Sequence, residues 1–179
     1  MKKKQGGYSL IELIVVISII AIVSGALFTG INALVRSNRT TCANLIYRGL
    51  QETKTDALSK SAAYLTISFD PAKEKYGIQT LGKDIVYTGN SNMKITYIVE
   101  DADHNEAILD VTSRNLILSY QKGSGSFLPV IESVNADGSY VYLSDSDGDK
   151  LFCKSITITA GGKTSDLTLN KSTGKTVLN

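Results

Sequence analysis

Hydrophobic and polar residues follow three successive patterns along the chain. Residues 13–35 carry no charged side chain, residues 34–58 place apolar side chains every three or four positions, and the remainder alternates apolar and polar residues. The first two patterns are typical of a helix that is apolar all round and then amphipathic, and the third is typical of β-strands. No proline precedes Pro71. The sequence therefore predicts one helix of about fifty residues, from Ser9 to near Ser59, followed by a β-rich region.

The β-rich region consists of short alternating segments separated by turn residues, such as Asp70-Pro71 and Asp137-Gly138. Such punctuation bounds short strands. The predicted strands are 64–69, 75–80, 84–88, 94–99, 107–111, 116–121, 127–131, 140–144, 152–159, 167–170 and 175–178. No further helical pattern follows. We expect an α+β fold in which the amphipathic half of the helix packs on one face of an antiparallel β-sheet.

Composition limits the classes of function. The chain has 179 residues, 42% of them hydrophobic and 20% charged, which is enough for one domain with a core and an appendage. A net charge of +2 gives little reason to expect a nucleic-acid or anionic-lipid partner. A single histidine and two cysteines leave little room for a Cys/His metal site or a histidine-based triad.

The charges that flank the apolar run predict its orientation. Lys2, Lys3 and Lys4 precede it, whereas only Arg36 and Arg39 lie close behind it. By the positive-inside rule the amino end stays in the cytoplasm and the rest is exported. As a helix, residues 13–35 would be roughly 34 Å long, which is enough to cross a membrane. Two alternatives are a secretory signal peptide cleaved around 24–26 and a plain single-span anchor.

Glu12 fits neither alternative, because it places a carboxylate at the start of the apolar run. An ionisable group in a membrane span costs a few kcal/mol and by default has a function and a partner. If the chain were cut after Gly7, the new α-amine of Tyr8 would lie one helical turn before Glu12. A carboxylate at that spacing can pair with an ammonium group of its own or a neighbouring chain.

These residues resemble the class III signal of type IV prepilins and pseudopilins. A short basic leader ends at Gly7, an aromatic residue follows at Tyr8, and Glu12 stands at the fifth mature position before an uninterrupted apolar run. The resemblance implies that prepilin peptidase cuts between Gly7 and Tyr8 and methylates the Tyr8 amine. It also implies three regions: a leader, 1–7, that is removed; a helix, 8–35, that spans the membrane and then forms a filament core; and an exported pilin domain, 36–179.

The resemblance further implies a structural role rather than an enzymatic one, with no cofactor and with several protein partners. The subunit would wait in membrane lipid until an assembly platform and its ATPase lift it into a filament of pilin subunits. Such filaments serve adhesion, motility, secretion or DNA uptake, and Glu12 would neutralise the Tyr8 amine of an adjacent subunit. The direct passage from helix to strand over 57–69 and the stretch 156–162 resemble minor pilins and H-type pseudopilins, with a major pilin still open. The alternative is an exported binding module, a tip-located or membrane-anchored adhesin or DNA receptor.

Two cysteines lie in the exported region. Cys42 falls in the amphipathic half of the helix and Cys153 in a late predicted strand. An even number of cysteines outside the cell permits a disulfide, which would fasten sheet to helix. The alternative is two separate buried thiols.

Three smaller groups of charged residues are candidates for binding. Asp145, Asp147 and Asp149 resemble the start of a calcium loop, although the glycine stands at its fourth position rather than its sixth. An acidic hairpin turn is the alternative. Residues 100–106 form a second acidic cluster, around His104, for which we expect a solvated loop. Lastly, the C-terminal part of the chain has a mild excess of positive charge, from Lys163, Lys171 and Lys175. These lysines could contact DNA or form a solvated face.

Overall fold

The computed structural model describes residues 10–60, 62–90 and 92–179, with the side chains of 25–35 outside the description. Within these ranges one long helix, α1 (Leu10–Ser59), precedes all the strands. The strands are β1 (Tyr64–Asp70), β2 (Lys75–Thr80), β3 (Val86–Thr88), β4 (Met93–Glu100), β5 (Glu106–Asp110), β6 (Leu116–Ser119), β7 (Ile131–Val134), β8 (Tyr140–Tyr142), β9 (Phe152–Ala160), β10 (Lys163–Asn170) and β11 (Lys175–Leu178). The predicted α+β class with antiparallel pairing is confirmed.

The strands form two antiparallel sheets, whereas the sequence predicted one. Sheet A has the order β3-β2-β1-β6-β7-β8, and sheet B has the order β11-β10-β9-β4-β5. The chain therefore changes sheet after β3, after β5 and after β8. Alternation of apolar residues indicates where strands lie but not which strands pair. In both sheets the central strands pair with strands that are distant in sequence. Leu65 of β1 pairs with Leu118 of β6, and Ile95 of β4 pairs with Ile158 of β9.

One predicted strand was misplaced. The sequence placed a strand over 127–131, but β7 begins only at Ile131. Pro129 lies in the middle of the predicted segment, and a proline cannot donate a hydrogen bond to a neighbouring strand. Phe127 forms only an isolated bridge with Tyr120. The ladder therefore starts after the proline.

The chain divides into two compact units, residues 1–35 and 36–179. In the second unit α1 turns one face inward, where Cys42, Ile46 and Leu50 are fully buried. Their spacing is that of a single helical face. This face lies against β1, since a Cβ atom at Gly49 would come within 2.8 Å of Leu65 Cδ1. Each sheet contributes alternating apolar residues to the core, which in sheet B include Ile95, Val99, Ile156 and Ile158.

The first unit has no such inward face among its described side chains. All the described residues of α1 up to Ser24 are exposed. Within the described part of the chain, no helical segment combines the length and the hydrophobicity that crossing a membrane requires. The predicted span at 13–35 extends into residues whose side chains lie outside the description.

Candidate functional site

The N-terminal turn of α1 holds the principal candidate residue. Glu12 is the acidic residue of that first turn. A carboxylate there complements the partial positive charge of a helix N-terminus. Gly7 and Tyr8 lie outside the described residues, so the cut between them and the pairing of Glu12 with the Tyr8 amine stay predictions.

The side chains around Glu12 form an apolar surface. Leu10 is 78% exposed, Ile14 50% and Ile22 73%. Soluble monomers rarely expose contiguous apolar surface of this kind, because burying it elsewhere is favourable by about 25 cal/mol per Å². An exposed apolar surface of this kind is typical of a segment that contacts lipid or another protein.

The second half of α1 is fastened to the end of sheet B by Lys54. Its Nζ donates hydrogen bonds to the carbonyl oxygens of Thr173, at 3.0 Å, and Gly174, at 3.1 Å. It also lies 5.8 Å from the centroid of the Tyr120 ring. The turn between β10 and β11 is thus held on the helix by one cation. No motif marks Lys54 in the sequence, because its acceptors are backbone atoms more than a hundred residues away.

A group of ion pairs joins β4 to β9 and to the turn after β10. The Glu100 carboxylate lies 3.3 Å from Lys154 Nζ and 3.4 Å from Lys171 Nζ. Lys154 also forms an ion pair with Glu106. Burial raises the pKa of Glu100, but hydrogen bonds from the two lysines outweigh it and hold the pKa below its ordinary value. His104 lies 3.9 Å from the same carboxylate and is 76% exposed. Part of the predicted solvated loop is therefore tied to the sheet.

Cys42 and Cys153 are free and buried in the structure. Burial raises the pKa of the Cys42 thiol to about 12 and also raises the pKa of Cys153. Of the two alternatives, the structure has two separate thiols and no Cys42–Cys153 disulfide. Spacing in sequence could not decide this, because each cysteine fits a buried position on its own element.

The acidic loop at 145–149 is a closed hairpin turn. The Asp145 carboxylate accepts the backbone N–H groups of Asp147, at 2.9 Å, and Asp149, at 2.8 Å. In the described residues, no group of three or more histidines, cysteines, aspartates and glutamates is placed to hold a metal ion. The calcium interpretation stays a prediction.

The three lysines of the C-terminal region are not equivalent. Lys163 begins β10 and Lys175 begins β11. Lys171 is engaged with Glu100 and lies 5.4 Å from the Phe152 ring centroid. Its charge is therefore partly neutralised within the chain, and contact with DNA stays a prediction.

Comparison with known families identifies a motif in the N-terminal segment. Residues 2–28 match the prokaryotic N-terminal methylation motif, which is the class III signal of type IV pilins. The match confirms the resemblance to the type IV pilin and pseudopilin family. The N-terminal segment is therefore similar to the signal that prepilin processing uses. No characterised protein and no solved structure matches the chain significantly.

Proposed function

We propose that this chain is a structural subunit of a type IV pilus or pseudopilus, in the minor pilin or pseudopilin class. The methylation motif at residues 2–28 carries the proposal. The exposed apolar surface of α1, with Glu12 in its first turn, supports it. An α+β domain that buries the second half of the helix is compatible with a pilin fold.

In this proposal prepilin peptidase cuts after Gly7 and methylates the Tyr8 amine. The apolar part of the helix holds the subunit in the membrane as a single-pass protein until the assembly platform and its ATPase transfer it into the filament. There the helices of neighbouring subunits replace lipid around the apolar surface. No catalytic step and no cofactor belongs to this role.

Glu12 supplies the specificity of docking. In a filament core an unpaired carboxylate is costly, whereas a carboxylate paired with the amine of an adjacent subunit is stabilised. A subunit that docks in the wrong register leaves both charges unpaired. The ion pair therefore selects one axial position, and it can form only after the leader has been removed.

The test uses the subunit in its own assembly system. The mature N-terminal peptide should begin at methylated Tyr8 in a mass spectrum. Glu12→Gln should leave cleavage intact and reduce incorporation into filaments by at least about tenfold, which corresponds to roughly 1.4 kcal/mol. Ser18→Ala is the matched control, because Ser18 is also a polar residue of the exposed segment and its hydroxyl donates to Ile14 O in its own helix.

Two outcomes would overturn the proposal. A mature chain that starts near Ala26 would restore the secretory signal peptide, and normal filaments of Glu12→Gln would remove the pairing role. The copy number per filament then separates the subclasses. Many copies indicate a major pilin, whereas a trace amount at the tip indicates a minor subunit or a tip-located binding module.

A further inference from the structure

A cavity of about 420 Å³ lies at the outer edge of sheet B, beside the edge strand β5. Val99 of β4, with Ala107 and Leu109 of the edge strand β5, forms one wall. Leu143 and Leu151, from the two arms of the hairpin that contains the acidic loop, form the other wall. Pockets that bind small molecules measure roughly 300–1,000 Å³ and are mainly apolar with a few polar groups. The cavity has that size and that lining.

The backbone is irregular at this position. The pairing of β4 with β9 shifts register between Ile98 and Val99, at the residue that reaches the cavity wall. Irregularities of this kind occur preferentially at sheet edges and beside binding sites, where they redirect a side chain. Beyond the shift the pairing of β4 with β9 resumes, with Val99 opposite Cys153.

The charged residues lining the cavity are Asp110 and Arg114. Asp110 is already satisfied, because Lys94 lies 3.1 Å from one carboxylate oxygen and Thr112 donates to the other. Arg114 contacts Glu132 at 3.5 Å, with both side chains about half exposed. A pair of that kind contributes little, and a guanidinium group has five donors. Arg114 can therefore donate two parallel hydrogen bonds to a second carboxylate.

We propose that this cavity binds a small apolar molecule that carries one carboxylate. The apolar part lies between β5 and the hairpin, against Leu109, Leu143 and Leu151. The carboxylate accepts hydrogen bonds from Arg114, with the hydroxyl groups of Ser113 and Ser144 on the same lining. The residues that line the cavity all belong to the unit 36–179 and do not include Glu12.

To test this, the full chain is placed in nanodiscs of uncharged lipid and titrated with hexanoate. Binding is followed through the methyl NMR signals of Val99, Leu143 and Leu151. Hexanoate should give a saturable shift confined to the cavity. Arg114→Gln should weaken hexanoate binding by about tenfold, as expected for a lost charged hydrogen bond of at least 1.4 kcal/mol. Arg48→Gln is the matched control, since Arg48 is an exposed arginine of α1.

Titrations with hexanol and hexylamine test whether the carboxylate is needed for binding. Hexanol should bind more weakly than hexanoate and equally to the wild-type chain and Arg114→Gln, because it keeps the apolar contacts alone. The proposal is overturned if hexylamine binds as well as hexanoate, if Arg114→Gln binds hexanoate normally, or if no saturable shift occurs. Leu151→Trp, which fills the cavity, should abolish binding of both hexanoate and hexanol.

Discussion

At the scale of single residues, the two buried cysteines are chemically protected by their surroundings. Burial raises the pKa of the Cys42 thiol to about 12, so thiolate is scarce at neutral pH. The thiolate is the reactive form. Both sulfur atoms also lie in the packed interior, where a reagent cannot reach them. Their chemistry in the folded protein should be that of small apolar side chains.

We expect the folded full chain to resist alkylation by iodoacetamide at pH 7.5 and to take up two labels after unfolding in urea without reductant. Intact-mass spectrometry before and after unfolding counts the labels. Cys42→Ala should lower the count in urea to one. A chain that takes up no label in urea would contain the disulfide that the structure lacks, and rapid labelling of the folded chain would contradict the burial.

At the scale of elements, the turn between β10 and β11 depends on a glycine. Gly174 has a φ of +60°, a conformation that side chains with a Cβ rarely adopt. A Cβ atom there would also collide with the carbonyl oxygen of Gly125. The same turn supplies the two carbonyl acceptors of Lys54. A shift of this turn therefore loosens the attachment of sheet B to α1.

Gly174→Ala should lower the free energy of unfolding by at least about 3 kcal/mol, because it adds an overpacking cost to the backbone cost. Gly82→Ala is the matched control. Gly82 has a φ of +81°, but no heavy atom lies within 4 Å of the added Cβ. Gly82→Ala should therefore lower the free energy of unfolding by only about 1–2 kcal/mol. Urea unfolding of both variants measures the difference. Equal losses would show that the Gly125 carbonyl moves aside without cost.

The sequence predicts elements of this fold better than their assembly. Alternating burial along β4, with Ile95 and Val99 inward, follows directly from the two-residue period of a strand. The division into two sheets could not be predicted, because it depends on pairings such as Leu65 with Leu118. The prediction of a strand at 127–131 was wrong because Pro129 interrupts strand pairing in a segment that is otherwise apolar.

The candidate sites divide in the same way. Glu12 could be predicted because its partner and its processing signal are local in sequence. The Lys54 contacts and the apolar cavity could not, since each joins residues from segments that only the folded chain brings together. Arg114 stands in a turn with no motif, and its place at a cavity follows from the packing of β5 against a distant hairpin.

At the scale of the whole molecule, the ion pairs of Glu100 make stability depend on pH. Glu100 is a partly buried carboxylate whose folded-state pKa lies below its unfolded value. Its contribution to the free energy of unfolding is therefore fully present above the unfolded-state pKa. That contribution is lost as the pH falls through the folded-state pKa. Because Lys154 and Lys171 reach Glu100 from β9 and from the turn after β10, acid should loosen the joint between β4 and the C-terminal strands.

We expect the free energy of unfolding of the full chain to decrease between pH 5 and pH 3, with Glu100 contributing at most about 1 kcal/mol of the loss. Glu100→Gln should be less stable than the wild type at pH 7 and should show a flatter pH dependence. Glu132→Gln is the control, since it removes a carboxylate that lies about half exposed beside Arg114. Urea unfolding at pH 7, 5 and 3 provides the measurement. If Glu100→Gln reproduced the wild-type slope, the acid sensitivity would reside in other carboxylates, such as Asp110, whose pKa is also lowered by Thr112 and Lys94 against the effect of burial.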